Sequence, residues 1–332
     1  MTPGISQILD TLGNRQDLSP DMAETAFNML MDGELTPGQA GALLMGLRAK
    51  GETPIEVGAA VSAALKRAKM VPGLTGKRID SVGTGGDNTC SFNCSTTVAL
   101  YLAGMGYQVT KHGNRAVSSS CGAADAVEAL GLPMPSDPED VAPLLRDKNF
   151  VFLFAPNFHP AFKHIMPVRK DLGMRTLFNI LGPLLNPARP THMLLGVARP
   201  EIMQLVAEVL LMNGVERAAV FNGAGGYDEL TPFGPARVVW LAGGKLVETE
   251  LDPAELGIKS CDPADVTVKD KDHALATVRE LLAGKGPQAM LEMVVFNLAV
   301  AIHLLEDGAP MPQCVLKARE AVAQGAGAKV LN

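Results

Sequence analysis

The sequence predicts an α/β fold in which a small all-helical N-terminal domain precedes a large α/β domain with a mainly parallel central sheet. Two patterns support this prediction: residues 1–72 carry only helix signals, whereas strand and helix signals alternate over residues 73–332. Such alternation is typical of a parallel sheet with helices on both faces. With 332 residues, of which 47% are hydrophobic and 19% charged, the chain can bury a core of this size.

The N-terminal domain contains three clear helix starts. Ser19, Thr36 and Thr53 each precede a proline, and a Gln or Glu follows the last two at the capping-box position. Apolar residues recur between these signals at helical spacing, so we expect four short helices. Four such helices bury too little surface to be stable alone. We therefore expect them to pack on the rest of the chain or on a second subunit.

The large domain is expected to contain five strands followed by a hairpin. The five strands are predicted at 79–82, 107–110, 150–154, 193–197 and 218–221. Helices are predicted at 95–104, 122–130, 138–147, 160–172 and 200–213. The hairpin, 238–241 with 245–250, turns at two glycines, and helices near 272–283, 288–305 and 311–323 complete the chain.

Groups suited to binding phosphate follow the first two strands. The sequence GTGGD occupies 83–87, KHGNR occupies 111–115, and three serines fill 118–120. Glycines let backbone N–H groups approach an anion, hydroxyls add donors, and Lys111 and Arg115 add positive charge. The glycine spacing matches neither the dinucleotide-binding fingerprint nor the Walker A loop. We predict a site for a phosphate-bearing ligand, in preference to a simple tight turn.

A third loop predicts a metal site. Asp228 and Glu229 lie in a glycine-rich loop after the strand at 218–221. Ligands bind at the carboxyl ends of parallel strands, and Mg²⁺ prefers carboxylate and phosphate oxygens. We therefore expect this pair to bind Mg²⁺ beside the phosphate site, rather than to form a solvated acidic turn. His112 and His159 are possible acid–base groups, but hydrogen-bonded loop histidines are more common, so no catalytic side chain is assigned.

Composition and charge exclude several classes of function. A net charge of −6 and an aromatic content of 5% argue against binding nucleic acid. No run of about 18 apolar residues and no leader pattern is evident, so we expect a cytoplasmic protein without a membrane partner. Five cysteines without paired spacing fit a reducing compartment. Cys90, Cys94 and Cys121 are interpreted as core or loop residues rather than as a metal cluster.

Several motifs closely resemble the signature of the anthranilate phosphoribosyltransferases. They are GTGGD at 83–87, SFNCST at 91–96, KHGNR at 111–115 with SS at 118–119, FAP at 154–156 with HP at 159–160, RTLFN at 175–179, GPL at 182–184, NP at 186–187 and DEL at 228–230. The match spans essentially the whole chain. It implies a fold like the nucleoside phosphorylases and class II phosphoribosyltransferases, in which an excursion near 165–190 joins the helical domain. It also implies a homodimer formed through the helical domains.

The resemblance assigns a reaction and its site residues. It implies transfer of the phosphoribosyl group of 5-phosphoribosyl 1-pyrophosphate (PRPP) to the amine of anthranilate, in tryptophan biosynthesis. PRPP would be surrounded by Gly83, Gly86, Asp87, Ser91, Asn93, Cys94, Ser95, Thr96, Lys111, His112, Gly113, Asn114, Arg115, Ala116, Val117, Ser118, Ser119 and Ala123. Two Mg²⁺ ions would be held by Ser95, Asp228 and Glu229, and anthranilate would be received by Gly83, Asn114 and Arg169. No catalytic side chain is implied, since positioning and electrostatics can lower the barrier.

A few positions depart from the usual pattern of that family. Cys94 stands where Ile or Val is common, Ala123 where Ser is usual and Asn222 where His is frequent, and Ser120-Cys121 replaces Lys-Ser. None of these changes removes a metal ligand. Two alternatives remain. A pyrimidine nucleoside phosphorylase shares the general fold, but those chains are longer and carry an additional C-terminal domain. A non-catalytic relative that binds nucleic acid is disfavoured by the negative net charge.

Overall fold

Four helices open the chain in the computed structural model, which describes residues 3–87, 89–115 and 121–331. They are α1 Ile5–Gly13, α2 Pro20–Asp32, α3 Pro37–Lys50 and α4 Pro54–Lys66. Thr36 and Thr53 form complete capping boxes with Gln39 and Glu56. Each box satisfies two backbone N–H groups that would otherwise lack partners, which explains why these helices begin where the sequence predicts.

In the described part of the large domain, seven strands form a single sheet. They are β1 Ile79–Gly83, β2 Val109–Gly113, β3 Phe150–Phe154, β4 His192–Gly196, β5 Arg217–Asn222, β6 Ala236–Ala242 and β7 Lys245–Leu251. Their order is β3-β2-β1-β4-β5-β6-β7. The first five pair in parallel, and β6 and β7 are antiparallel. The prediction of a mainly parallel sheet ending in a hairpin is confirmed.

The strand order creates a switch point between β1 and β4. From β1 the chain continues to β2 and β3 on one side, and later returns to β4 and β5 on the other. The loops that follow β1 and β4 therefore leave the sheet in opposite directions. Gly83 and Gly196, the last residues of these strands, are paired in register. A crevice at such a switch point is the usual ligand site of an open parallel sheet.

Helices cover both faces of this sheet. They are α5 Cys94–Gly104, α6 Ala123–Ala129, α7 Val141–Lys148, α8 Ala155–Phe158, α9 Met166–Leu172, α10 Phe178–Leu181, α11 Met203–Met212, α12 Lys271–Leu282, α13 Gln288–Leu305 and α14 Met311–Ala323. The predicted helix at 160–172 is instead divided into a 3₁₀ turn at Pro160–His164 and α9, where Pro167 occupies the first turn. The short helices α8 and α10 were not predicted, because four residues show no periodicity.

One predicted strand is displaced along the sequence. The second strand was expected at 107–110, but β2 runs from Val109 to Gly113. Lys111 and His112 therefore lie within the sheet, opposite Phe152 and Leu153 of β3, rather than in the loop after it. Polar residues at the end of a buried strand interrupt the apolar pattern, so pattern alone places the strand too early.

Two large groups of buried apolar side chains lie on opposite faces of the sheet. Leu194 and Ala219 belong to the group that includes α5 and α13. Leu195 and Val220 face the other way and join α11 and the N-terminal helices in one continuous core. The small bundle thus packs on the rest of the chain. By length and composition α13 could cross a membrane, but 78% of that window is buried, as expected for a core helix.

The segment around α9 and α10 packs with the N-terminal helices. Ile165, Leu177 and Leu181 are buried in the same group as α1 to α4. This segment leaves the sheet after β3 and returns to it at β4. It therefore places side chains of the helical region beside the crevice at the ends of β1 and β4.

Candidate active site

The loop after β5 brings two carboxylates over the ends of β1 and β4. Asp228 Oδ2 accepts a hydrogen bond from the backbone N–H of Gly85 at 2.6 Å. A Cβ atom on Gly83 would lie 2.2 Å from Asp228 Oδ2, and one on Gly196 would lie 1.7 Å from the Asp228 carbonyl oxygen. Both strands must therefore end in glycine for the acidic loop to lie over the sheet.

Asp87, Asp228 and Glu229 form a carboxylate cluster. One oxygen from each lies within 4.8 Å of the others. Burial, followed by repulsion from Asp87, raises the pKa of Asp228 to about 7. Burial and the neighbouring Asp228 raise the pKa of Glu229 well above its usual value. Carboxylates packed this closely ionise readily only when a cation neutralises them, and hard oxygen donors suit Mg²⁺. The cluster therefore fits a magnesium site.

The two serines predicted near this cluster contact different groups. Ser91 Oγ donates to Glu229 Oε2 at 3.3 Å. Ser95 Oγ instead accepts a hydrogen bond from Lys111 Nζ at 3.2 Å. Asp87, which the sequence assigned to PRPP rather than to metal, belongs to the carboxylate cluster and also accepts from Thr89 Oγ1 at 2.6 Å.

Lys111 supplies a buried positive charge below the cluster. Its side chain is 1% exposed, and Nζ donates to the carbonyl oxygen of Ser81 as well as to Ser95. Burial lowers the pKa of Lys111, while Asp80 and the cluster carboxylates act in the opposite direction. Asp80 is fully buried in β1 and accepts from Asn186 Nδ2 at 2.8 Å. These contacts fix the lysine between the ends of β1 and α5.

The first turn of α5 lies beside the same cluster. Cys94 begins this helix and is fully buried; burial raises the pKa of its thiol, Glu229 raises it further, and Lys111 lowers it. Asn93 precedes the helix and accepts hydrogen bonds from Thr97, while Thr96 is fully buried. A helix N-terminus presents unpaired N–H groups and a partial positive charge, so this turn is suited to an anionic ligand.

The loop after β2 is described as far as Arg115 and again from Cys121. Arg115 Nη1 donates to Glu128 at 2.6 Å and to Asp125 at 3.5 Å. The exposed Asn114 follows Gly113. Its backbone carbonyl oxygen accepts a hydrogen bond from the Ala124 N–H at 3.3 Å. The predicted PRPP contacts at Ala116, Val117, Ser118 and Ser119 lie outside the described residues and stay predictions.

His112 and His159 form a buried pair. Their rings lie 5.2 Å apart in an edge-to-face arrangement, and they are 4% and 6% exposed. Burial lowers the pKa of His112 to about 3 and that of His159 to about 4. Both rings are therefore neutral at pH 7, and neither acts there as a positively charged group.

Arg169 lies on α9, in the segment that packs with the N-terminal helices. Its guanidinium carbon is 5.5 Å from the centre of the Phe178 ring, and burial lowers its pKa. It lines a cleft of about 360 Å³ together with Arg175 and Asn179. A planar cation next to an aromatic ring suits a ligand that carries a carboxylate.

Two contacts at the site involve residues that no motif assigned a role. Arg175 Nη2 donates to the carbonyl oxygen of Gly86 at 2.9 Å. Asn222, at the end of β5, donates to the carbonyl oxygen of Val197 at 2.7 Å. Arg175 belongs to the RTLFN stretch, but one arginine in a loop looks like a surface charge in sequence.

Both parts of the chain match known domains of one class of enzyme. Residues 6–68 match the helical bundle domain of the glycosyl transferase family, and residues 75–328 match its a/b domain. The chain is thus a glycosyl transferase with an N-terminal bundle. It is 59% identical to the anthranilate phosphoribosyltransferase of Nitratidesulfovibrio vulgaris over 100% of both chains, and 59% identical to that of Oleidesulfovibrio alaskensis over 98% and 99%. The chain belongs to the anthranilate phosphoribosyltransferase family.

Solved structures agree with this assignment. The anthranilate phosphoribosyltransferase of Thermus thermophilus superimposes with a TM-score of 0.90 at 36% identity, covering 98% of this chain and 97% of that one. The Saccharomyces cerevisiae enzyme in complex with PRPP and Mg gives 0.87 at 25% identity, covering 98% and 95%. These matches favour the transferase over the nucleoside phosphorylase and nucleic-acid-binding alternatives.

Proposed function

We propose that this chain transfers the phosphoribosyl group of PRPP to the amine of anthranilate, giving N-(5-phosphoribosyl)anthranilate and pyrophosphate in tryptophan biosynthesis. The observation that carries the proposal is the carboxylate cluster at the switch point, next to the glycine-rich loop, α5 and Lys111. Full-length relatives at 59% identity that bear this enzyme's name support the reaction.

The PRPP site is proposed to lie at the ends of β1 and β2. Backbone N–H groups of the glycine-rich loop, the first turn of α5 and the Lys111 ammonium all favour negative charge there. We assign PRPP contacts to the residues predicted from the sequence: Gly83, Gly86, Asp87, Ser91, Asn93 to Thr96, Lys111 to Ser119 and Ala123. These groups stabilise the pyrophosphate as it takes up negative charge on leaving the ribose.

Magnesium is the proposed cofactor, with two ions per chain held by Asp228, Glu229 and Ser95. Asp87 is added to this set because its carboxylate lies within the cluster. When bound, the metal would neutralise the charge of the pyrophosphate. The structure of the yeast relative with PRPP and Mg supports the choice of metal.

Anthranilate is proposed to bind across the crevice from PRPP. Arg169 would hold the carboxylate, and Asn114 and Gly83 would contact the acceptor at the strand ends. Glycine at position 83 leaves no side chain between the two substrates. The amine of anthranilate attacks in its neutral form, so the rate depends on the alignment of the two substrates and needs no positively charged acid. The neutral state of His112 and His159 is consistent with this requirement.

Assembly, domain boundaries and location are also part of this proposal. We propose a helical domain of residues 1–72 with the excursion near 165–190, an α/β domain of 73–332, and a cytoplasmic homodimer formed through the helical domains. The exposed Met45 on α3 and Met166 on α9, which are 45% and 53% accessible, support an apolar contact there.

A fluorescence assay tests the reaction. Purified protein is mixed with anthranilate, PRPP and Mg²⁺, and the loss of anthranilate emission is followed, with EDTA as control. Loss that needs all three components is the expected result. If emission stays constant while PRPP still binds, the acceptor is not anthranilate.

A further inference from the structure

Arg175 connects the helical side of the crevice to the glycine-rich loop. Its Nη2 atom donates to the carbonyl oxygen of Gly86 at 2.9 Å. Gly86 has a φ of +81°, and a Cβ atom at this position would lie 2.8 Å from Arg175 Nη2. The positive φ favours glycine at this position, and a Cβ atom there would displace the Arg175 guanidinium from the carbonyl oxygen of Gly86.

The peptide group that joins Arg175 to Thr176 is held by two hydrogen bonds, although the side chain of Arg175 is exposed. Arg48 of α3 donates to the carbonyl oxygen of Arg175. The next residue, Thr176, is 5% exposed, and its N–H donates to Asn179 Oδ1 at 3.0 Å. Because this peptide group is already held, less conformational freedom is lost when the guanidinium reaches Gly86.

The hydrogen bond between Arg175 and Gly86 lies next to the carboxylate cluster. Gly86 precedes Asp87, a member of that cluster, and follows Gly85, whose N–H donates to Asp228 at 2.6 Å. The glycine-rich loop is thus held by hydrogen bonds at two consecutive residues. Asp228, in the loop after β5, accepts from Gly85, and Arg175, in the segment that packs with the N-terminal helices, donates to Gly86.

We propose that Arg175 is a positioning residue for PRPP. It holds Gly86 so that the Asp87 carboxylate and the backbone N–H groups of the loop keep their positions relative to the bound pyrophosphate. It thereby links the position of the helical segment to the affinity of the phosphate site. Arg169, in the same cleft, has a different role, since it faces Phe178 and is assigned to the acceptor. This inference rests on the proposed function only in taking PRPP as the ligand.

The test compares three single variants by calorimetric titration of PRPP with Mg²⁺. Arg175→Ala should weaken PRPP binding about tenfold, as expected for the loss of one charged hydrogen bond. Arg175→Lys should recover part of this loss, because an ammonium can donate to one carbonyl oxygen but lacks the planar, rigid set of donors of a guanidinium. Lys163→Ala, which removes an exposed charge from the 3₁₀ turn before α9, is the control and should bind like the wild type.

Steady-state kinetics and thermal midpoints complete the test. Arg175→Ala should raise KM for PRPP with a smaller change in KM for anthranilate, at an unchanged midpoint. Unchanged PRPP affinity in Arg175→Ala, or an equal loss in Lys163→Ala, would overturn the inference. A wild type that binds PRPP without consuming anthranilate refutes the proposed reaction but leaves this binding test decisive. A wild type that does not bind PRPP refutes both.

Discussion

Two acidic side chains buried in different parts of the molecule have opposite surroundings. Glu292 on α13 is 1% exposed and accepts hydrogen bonds from Arg319 Nη1 at 2.9 Å and Nη2 at 2.8 Å. The backbone N–H of Lys259 also donates to it at 3.1 Å. Burial opposes ionisation of Glu292, but these donors outweigh it and lower the pKa.

Asp228 is 8% exposed, and its nearest charged neighbours are two other carboxylates. The Gly85 N–H is its main hydrogen-bond donor, Asp87 and Glu229 complete the carboxylate cluster, and the pKa is raised to about 7. The fold thus supplies a direct ion-pair partner for Glu292. Lys111 is near the cluster, but none of the described residues forms a direct ion pair with its three carboxylates, so one lysine leaves the cluster with an excess of negative charge. Perturbation by burial plus neighbouring charge, in a crevice, is typical of a functional site.

The largest expected effect is on turnover in the double variant Asp228→Asn/Glu229→Gln. Loss of both carboxylates removes the proposed metal site, so kcat/KM should fall about a hundredfold or more. Stability should be kept or increase, because the substitution relieves repulsion between neighbouring acids. The fluorescence assay and the thermal midpoint measure the two quantities. Full activity in this variant would refute the metal assignment.

Arg319→Met should produce the opposite pattern. It leaves Glu292 buried without its cation, which should lower the free energy of unfolding by about 2 kcal/mol. This value is set below the usual range of about 3–5 kcal/mol for breaking a buried pair, because the Arg319 side chain is 34% exposed. Activity per folded molecule should not change. Urea unfolding and the fluorescence assay provide the measurements, and the double variant Arg319→Met/Glu292→Leu should recover much of the stability.

The contribution of Glu292 should also depend on pH. Its pKa is lowered on folding, so its stabilisation is present above the unfolded pKa of about 4.3 and is lost as pH falls through the folded value. Urea unfolding of the wild type and of Glu292→Gln should therefore differ at pH 7, and the difference should shrink below about pH 4. A difference that grows on acidification would contradict the assigned pairing.

A smaller effect is expected at Glu56, a third buried acid. Its carboxylate accepts from the Leu18 and Thr53 N–H groups, both at 2.9 Å, and from Lys50 at 3.0 Å. Glu56→Gln keeps an acceptor but loses the charge, so stability should fall by about 1 kcal/mol. The KM values should stay the same. A change in KM for PRPP would show that the bundle influences the site through this residue.

These buried acids also show how far the sequence alone predicts the structure. Glu56 was recognised as a capping residue, since its pattern is local and involves Thr53 three positions earlier. Asp228 and Glu229 were predicted to form a site from their position in the loop after a strand, because parallel topology brings strand ends together. The pairing of Glu292 with Arg319 joins two helices whose facing sides are fixed only by packing, and no local pattern predicts it.

The same limit applies inside the site. The burial of Lys111 in β2 and its contact with Ser95 depend on the register of β2 with β3. The Asp87 carboxylate joins the carboxylate cluster through the path of a glycine-rich loop. Arg175 reaches Gly86 from a segment 89 residues away. Motifs direct attention to these loops, whereas tertiary contacts decide which side chain within each loop meets which partner.

Calorimetric titration of PRPP with and without Mg²⁺ tests most directly whether the carboxylate cluster needs a cation from outside the fold. The wild type and Glu292→Gln should both bind PRPP more tightly when Mg²⁺ is present. The Asp228→Asn/Glu229→Gln variant should show the same weak affinity in both conditions. If that variant keeps the Mg²⁺-dependent gain in affinity, the cluster is not the metal site and the contrast between the two kinds of buried acid has no functional meaning.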